Sequence, residues 1–319
     1  MADAAAETWL VGDVGGTNAR FGLVAPDGKL LHSAVLADAD YAQFIDAIRT
    51  YLGQRGALPT PRQGAIAIAS AITGDQVKMT NNPWAFSIKG LCDQLGFERL
   101  EVMNDFTAQA LALPHLTAND KTTIGGGSPV AGHPIGVIGP GTGLGVSGLV
   151  PFGSRWIPLT GEGGHATVAA ATDRESAVVD HMRKRYEHVS AERCISGAGL
   201  VNLYETLAAL DGVPAKEYTP PQITDPNSAD PLCREAVAML CGMLGTMAGN
   251  LALTLGAQGG VYIAGGVVPR LGTRFAESPF RERFEAKGRL TPYLKAIPTY
   301  VVTHSLPAFI GCHAALAQG

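Results

Sequence analysis

The sequence predicts an α/β protein of two domains, each built on a mixed sheet. At 319 residues the chain exceeds the size at which single hydrophobic cores usually stop growing. Short apolar, β-branched strand patterns alternate with helical spacing along it. Two stretches, VGDVGGTNARFGLV at 11–24 and VIGPGTGLGVSGLV at 137–150, share the order strand, glycine-threonine turn, strand, which suggests two related halves.

Residues 8–13 and 19–25 read as strands around the first turn, and 29–35 follows an Asp27-Gly28 turn to complete a meander. Tyr41, Phe44, Ile45, Ile48, Tyr51 and Leu52 fall at helical spacing, with Asp40 as the expected cap. The uncharged alanine and isoleucine run at 64–71 suits a strand buried on both faces. Ser87 opens a short helix that closes at Gly96. The next strand, RLEVMNDF at 99–106, delivers Asn104 and Asp105, and 107–113 looks helical. Strands follow at 135–138, 144–150 and 155–159, and helices at 175–186 and 200–210. After a polar, proline-rich loop at 219–231 come a long apolar helix, strands at 260–264 and 299–303, and a helix at 307–317.

The long apolar stretch, uncharged from 236 to 269, is long enough at 236–257 to span a bilayer. Gly242, Gly245, Gly249 and Asn250 interrupt it and it runs directly into a strand and a glycine turn, so a buried core helix is expected and no membrane contact. With 46% hydrophobic and 16% charged residues, 40 glycines and a net charge of -4, the chain reads as globular, and the absence of a basic run argues against a nucleic-acid partner. Its five cysteines are scattered, which suggests neither a disulfide framework nor a zinc site and fits a reducing cytoplasm. Residues 1–8 lack the basic and apolar regions of a signal peptide.

The chemistry gathers at the glycine turns and at 99–106. Glycine-rich turns between strands let backbone amides approach phosphate oxygens, which makes Gly12, Gly15, Gly16, Thr17 and Asn18 in the first turn and Gly141, Thr142 and Gly143 in the second candidate nucleotide contacts. A Walker A loop is excluded because the only Gly-Lys pair is followed by Leu30. A dinucleotide fingerprint fails because the second turn leads into a strand, and no protein-kinase signature is present. Gly265 and Gly266 end a buried strand, where a side chain would block a packed purine or ribose; taken apart from the other motifs they read as a plain loop. An acid beside phosphates implies a cation, so Asp13 is assigned to Mg²⁺, held through water, or else it forms the turn, as Thr17, Asn18 and Thr142 also could. On the residues alone, Asp105 serves equally well as a general base or as the cap of a helix starting at Thr107. Glu162 and His165, in GEGGH at 161–165, are placed by a tight turn to converge on a small polar ligand, or else stand on a plain surface turn.

LVGDVGGTNARFGLV resembles the first phosphate motif of the superfamily that joins sugar kinases, heat-shock ATPases and actin. GPGTGLGV resembles its second and YIAGGVVPR its adenosine motif. Together with MTNNPWAFS, VMNDF, GEGGH, SAERCISG and NLALTLGAQGGV, the resemblance extends over nearly the whole chain to the bacterial glucokinases. It implies an actin-like ATPase (ribonuclease H-like) fold of two α/β domains facing across a cleft, a small one at 1–106 plus 304–319 and a large one at 107–303. It implies ATP-dependent phosphorylation of glucose at the 6-hydroxyl with Mg²⁺, with Asp105 as general base and Asn104, Glu162, His165 and Glu192 holding the sugar. The Glu192 assignment rests wholly on the resemblance, as does the expected homodimer. Another hexose or an N-acetylhexosamine remains an alternative acceptor. A sugar-responsive regulator is less favoured, since few residues precede the first strand.

Two departures stand out. Between His165 and Glu192 there is no cysteine, and Cys194 lies just beyond, which favours the zinc-free glucokinase branch over relatives with a cysteine-rich zinc motif. SAITGD at 70–75 lacks the proline expected near Ala71.

Overall fold

The computed structural model describes residues 7–80 and 82–318. The start of the segment read as lacking a signal peptide, Asn81 of MTNNPWAFS and Gly319 therefore lie outside the described residues. The chain divides into two compact units, Met1–Leu116 with His304–Gly319, and Thr117–Thr303.

In the first unit a five-stranded sheet is built from β1 (Trp9–Val14), β2 (Asn18–Val24), β3 (Leu30–Ala37), β4 (Gln63–Ile68) and β7 (Arg99–Asn104). Its order is β3-β2-β1-β4-β7, with β1, β4 and β7 parallel and the β1–β2–β3 meander antiparallel. A separate small hairpin pairs β5 (Gln76–Lys78) with β6 (Ala85–Ser87). Strand alternation sorts the side chains onto two faces. Leu10, Phe21, Ile66 and Ile68 pack with Phe44, Ile48 and Tyr51 of α1 (Phe44–Gly53), with Leu91 of α2 (Ile88–Leu95) and with Trp84. Burying each such side chain contributes about 1.5–3 kcal/mol. Val11, Ala65 and Ala67 face the other way, against Ala108 of α3 (Asp105–Ala112) and Ala308, Phe309 and Cys312 of the C-terminal helix Pro307–Gln318. Alanines on that face let the two helices close up: a Cβ on Gly311 would sit 1.7 Å from the Ala108 carbonyl oxygen. Thus α3 belongs to this unit, whereas the sequence reading begins the second domain with it.

Asp40 does not cap α1. Asp38–Asp40 forms a 3₁₀ turn, and Gln43 precedes α1 with no side-chain cap.

The second unit carries a six-stranded sheet of β8 (Lys121–Ile124), β9 (Ile135–Pro140), β10 (Leu144–Phe152), β11 (Arg155–Leu159), β12 (Val261–Ile263) and β13 (Thr299–Val302). The order is β11-β10-β9-β12-β13-β8, with β9, β12 and β13 parallel and the remaining pairs antiparallel. Its helices are α4 (Asp173–Met182), α5 (Gly197–Leu210), α6 (Pro220–Ile223), α7 (Pro231–Leu255), α8 (Thr273–Ala276), α9 (Phe280–Glu285) and α10 (Thr291–Ala296). The stretch weighed as a membrane span is α7, a core helix with Ala236, Met239, Leu240, Met243, Leu244, Ala248 and Ala252 buried. Its glycines admit α9: a Cβ on Gly245 would lie 2.1 Å from the Phe280 carbonyl oxygen, and one on Gly249 2.6 Å from that of Phe284. Arg283 of α9 crosses this seam to make a paired contact with buried Glu175, at 2.8 and 3.0 Å.

Candidate active site

In the first unit, the hairpin register sets Asp13 opposite Arg20, whose Nη1 donates to Asp13 Oδ2 at 3.3 Å. Burial nonetheless pushes the Asp13 carboxyl above its usual range, with the Arg20 charge opposing. The turn is closed by Gly15 N donating to the Asn18 carbonyl at 3.0 Å. Thr17 and Asn18 are exposed, and Asn18 Nδ2 donates to Thr17 Oγ1 at 3.0 Å. A Cβ on Gly15 would meet nothing nearer than 3.7 Å, whereas one on Gly12 would press on Ile66 at 3.1 Å. Gly15 therefore borders open space, and Gly12 is small because the strand beside it is close.

At the end of β7 the capping question is answered by the neighbour. Asn104 is the N-cap of α3, its Oδ1 accepting from Phe106 N at 2.9 Å. The helix begins at Asp105, two residues earlier than expected, and Asp105 Oδ1 also accepts from Phe106 N at 2.9 Å. An acidic side chain in a first helical turn sits favourably at the positive end of the helix dipole. Asn104 Nδ2 donates to the Ser70 carbonyl at 3.3 Å, so the side-chain amide is held from both ends. Ser70, in the segment that departs from the expected pattern, is buried, and its Oγ accepts from Thr80 N at 2.9 Å. Close by, buried Asp38 accepts from Asn82 Nδ2 at 2.8 Å, and Asp38 N donates to the Thr17 carbonyl at 3.0 Å. The contacts of Ser70 thus border Asn104, and those of Asp38 border the first glycine turn.

In the second unit, Gly141, Thr142 and Gly143 form the turn between β9 and β10, tightened by Gly141 N donating to the Gly143 carbonyl at 2.8 Å. The Gly141 carbonyl accepts from Gly197 N, at the start of α5, at 2.8 Å, which brings the positive end of that helix to the turn. Gly265, at φ +79°, crosses so near that a Cβ would stand 2.4 Å from the Pro140 carbonyl oxygen, while Gly141 and Gly266 face open space. GEGGH packs on the same hairpin, since a Cβ on Gly164 would lie 1.9 Å from the Leu144 carbonyl oxygen. Glu162 and His165 are exposed at the two ends of the 3₁₀ turn Gly163–His165. The chain beyond it pairs with the segment before Glu192, through the bridge Thr167↔Ser190 and Ala191 N donating to the Ala166 carbonyl at 2.8 Å.

Glu192 is not the ordinary exposed charge it resembles in sequence. It is half-buried, and its Oε2 accepts from Leu144 N at 2.9 Å. The carboxylate is packed so closely over the turn that a Cβ on Gly143 would stand 2.4 Å from Oε2. The second unit thus gathers Glu162, His165, Glu192 and the second turn, and the first unit gathers Asp13, the first turn, Asn104 and Asp105. Sequence reasoning marked the segment of Ser70 without giving it a role and missed Asp38 and the amide of Leu144, which act through backbone groups or long-range pairing and leave no local pattern.

The two mixed sheets, each carrying a glycine turn between antiparallel strands, define the α/β fold of the actin-like ATPases. Within that class, the family model for glucokinase matches residues 10–319. The chain is 53% identical over 305 residues to the glucokinase of Paramagnetospirillum magneticum, covering 95% of each. It is 50% identical over 311 residues to the bifunctional protein glk of Burkholderia pseudomallei, covering 97% of this chain and 48% of that one, so it spans about half the length of that relative. The crystal structure of a glucokinase from an Antarctic psychrotroph matches with a TM-score of 0.90 at 36% identity, over 98% of this chain and 99% of the other. The chain belongs to the glucokinase family.

Proposed function

We propose that this chain transfers the γ-phosphoryl group of ATP to the 6-hydroxyl of glucose, with Asp105 as the general base. The observation that supports the role of Asp105 is its place at the junction of β7 and α3, directly after Asn104, the N-cap of the helix, with its Oδ1 sharing the Phe106 N–H. In this reading Asp105 accepts the proton of the attacking hydroxyl. Asn104 Oδ1 is engaged by Phe106 N and Nδ2 by the Ser70 carbonyl, so Asn104 meets the sugar as a donor through its second Nδ2 hydrogen. Glu162, His165 and Glu192 bind sugar hydroxyls, Glu192 with a carboxylate already oriented by Leu144 N.

Each turn is assigned to nucleotide phosphate, where Gly15 in the first and Gly141 in the second leave room for backbone approach, and Gly265 and Gly266 are assigned to the purine or ribose. Among the described residues no group of three or more His, Cys, Asp or Glu forms a cage for a metal. That fits a Mg²⁺ that keeps most of its water and takes one carboxylate besides the phosphates, the place given to Asp13. When bound, Mg²⁺ neutralises charge on the β and γ phosphates. The proposal also places the protein in the cytoplasm as a homodimer; light scattering of the purified protein tests the assembly.

The test of the chemistry is glucose-dependent ADP formation. Asp105→Ala is expected to lose roughly two to four orders of magnitude in kcat and to bind both substrates. Retention of kcat in that variant removes Asp105 from its role, and a panel of hexoses and N-acetylhexosamines in the same assay decides the acceptor.

A further inference from the structure

Glu192 belongs to a 3₁₀ turn of only three residues, Ala191–Arg193, and so short a turn does not hold a carboxylate in place by its own hydrogen bonding. The near side is fixed by contacts already at the site: Leu144 N to Oε2, and Ser196 Oγ donating to the Glu192 carbonyl at 2.8 Å. The far side is gripped by residues of α5 and of the segment after α4. Asn202, only 8% exposed, donates from Nδ2 to the Arg193 carbonyl at 3.0 Å. Its Oδ1 accepts from the Tyr186 hydroxyl at 3.0 Å. The Arg193 guanidinium lies 4.3 Å from the centroid of the Tyr186 ring, within range of a cation–π contact.

Tyr186 and Asn202 thus hold the residue next to Glu192 twice, once by its carbonyl and once by its side chain. We propose that the two form a brace that sets the position of the Glu192 carboxylate and, through it, the affinity for the sugar. Both are positioning residues, and the inference rests on the sugar role of Glu192 proposed above. The physical reason is tolerance: a hydrogen-bonding group displaced by about 1 Å loses most of its selectivity for a bound hydroxyl.

Two substitutions separate this from a purely structural role. Tyr186→Phe removes one hydroxyl and keeps the ring under Arg193; a cavity of about 210 Å³ bordered by Tyr186, Asn202 and Thr206 lets water take up the freed Asn202 oxygen, so the fold is retained. Asn202→Asp keeps the size and the bond from Tyr186 but faces the Arg193 carbonyl with an acceptor. In the full-length protein, amide hydrogen exchange at Leu144, whose N–H is bonded to Glu192, reads the brace without any ligand. Exchange is expected to accelerate about tenfold or more in both variants, as the loss of about one hydrogen bond implies. The KM for glucose is expected to rise about tenfold while kcat and the KM for ATP stay within about twofold. In a Glu192→Gln background the Asn202→Asp effect on glucose KM should vanish.

Unchanged exchange at Leu144, or additive effects in the double variant, overturns the brace. Faster exchange with an unchanged glucose KM overturns the link to the sugar and, with it, the role given to Glu192.

Discussion

Gly143 offers a sharp test of how the second turn works, because a turn glycine is ordinarily read as a phosphate contact. In Gly143→Ala the new Cβ would stand 2.4 Å from Glu192 Oε2 and 3.3 Å from its Cδ. The obstructed atom is the end of a flexible side chain, so the fold yields there and survives. To reach ordinary van der Waals distance the carboxylate must retreat by about 1 Å, which stretches the 2.9 Å bond from Leu144 N beyond hydrogen-bonding range. Hydrogen bonds to charged groups contribute about 1.5–3 kcal/mol, which converts to roughly a 10- to 150-fold change in an equilibrium constant. Steady-state kinetics with glucose varied at saturating ATP should therefore show a rise in glucose KM of that order. Gly141→Ala is the matched control, since its Cβ meets no protein atom within 4 Å, and it should act on the KM for ATP. If Gly143→Ala leaves glucose KM within twofold and weakens only ATP, the carboxylate does not depend on that glycine and the reasoning fails.

Asp38 is buried, and its Oδ1 has no hydrogen-bond partner among the described residues. Desolvation raises its carboxyl above the usual range, with the bond from Asn82 opposing. A raised folded-state value favours folding at a pH below the ordinary carboxylate range, and that contribution is lost as pH rises through the folded value. Asp38→Asn should therefore melt higher than the parent at neutral pH, with the difference shrinking on acidification; a variant that melts lower at pH 7 refutes this account. On α7, Gly245→Ala drives a Cβ into the Phe280 carbonyl, 2.1 Å away, where backbone cannot step aside. Denaturant titration should show a loss of about 1–3 kcal/mol, and a change below about 0.5 kcal/mol means that α9 does not pack as closely as described.

Much of the fold was legible in the chain because its signals are local. Glycine turns between apolar strands, the short strand RLEVMN ahead of α3 and the small-residue run of β4 each declare themselves within a dozen residues. The strands β8, β5 and β6 and the short helices α9 and α10 escaped, since segments of three to six residues take their structure from what they pack on and pair with more than from their own pattern. The apolar run of α7 is long enough to mislead, whereas its glycines already spoke for a core helix; the structure adds that Gly245 and Gly249 leave the space α9 needs.

The motifs, their order and the residue types able to hold a phosphate or take a proton were present in the sequence alone, and with them the glucokinase family. Tertiary structure decided between roles that one residue type can fill. Asn104 was found to be the N-cap of α3, with Asp105 sharing its Phe106 N–H, Glu192 looked like an exposed charge until Leu144 N was found on its carboxylate, and Gly143 was found to lie against that same carboxylate. The reason is common to all three: a backbone amide or a close approach across the fold leaves no mark on the residues that share it, so only coordinates can say which carboxylate it holds.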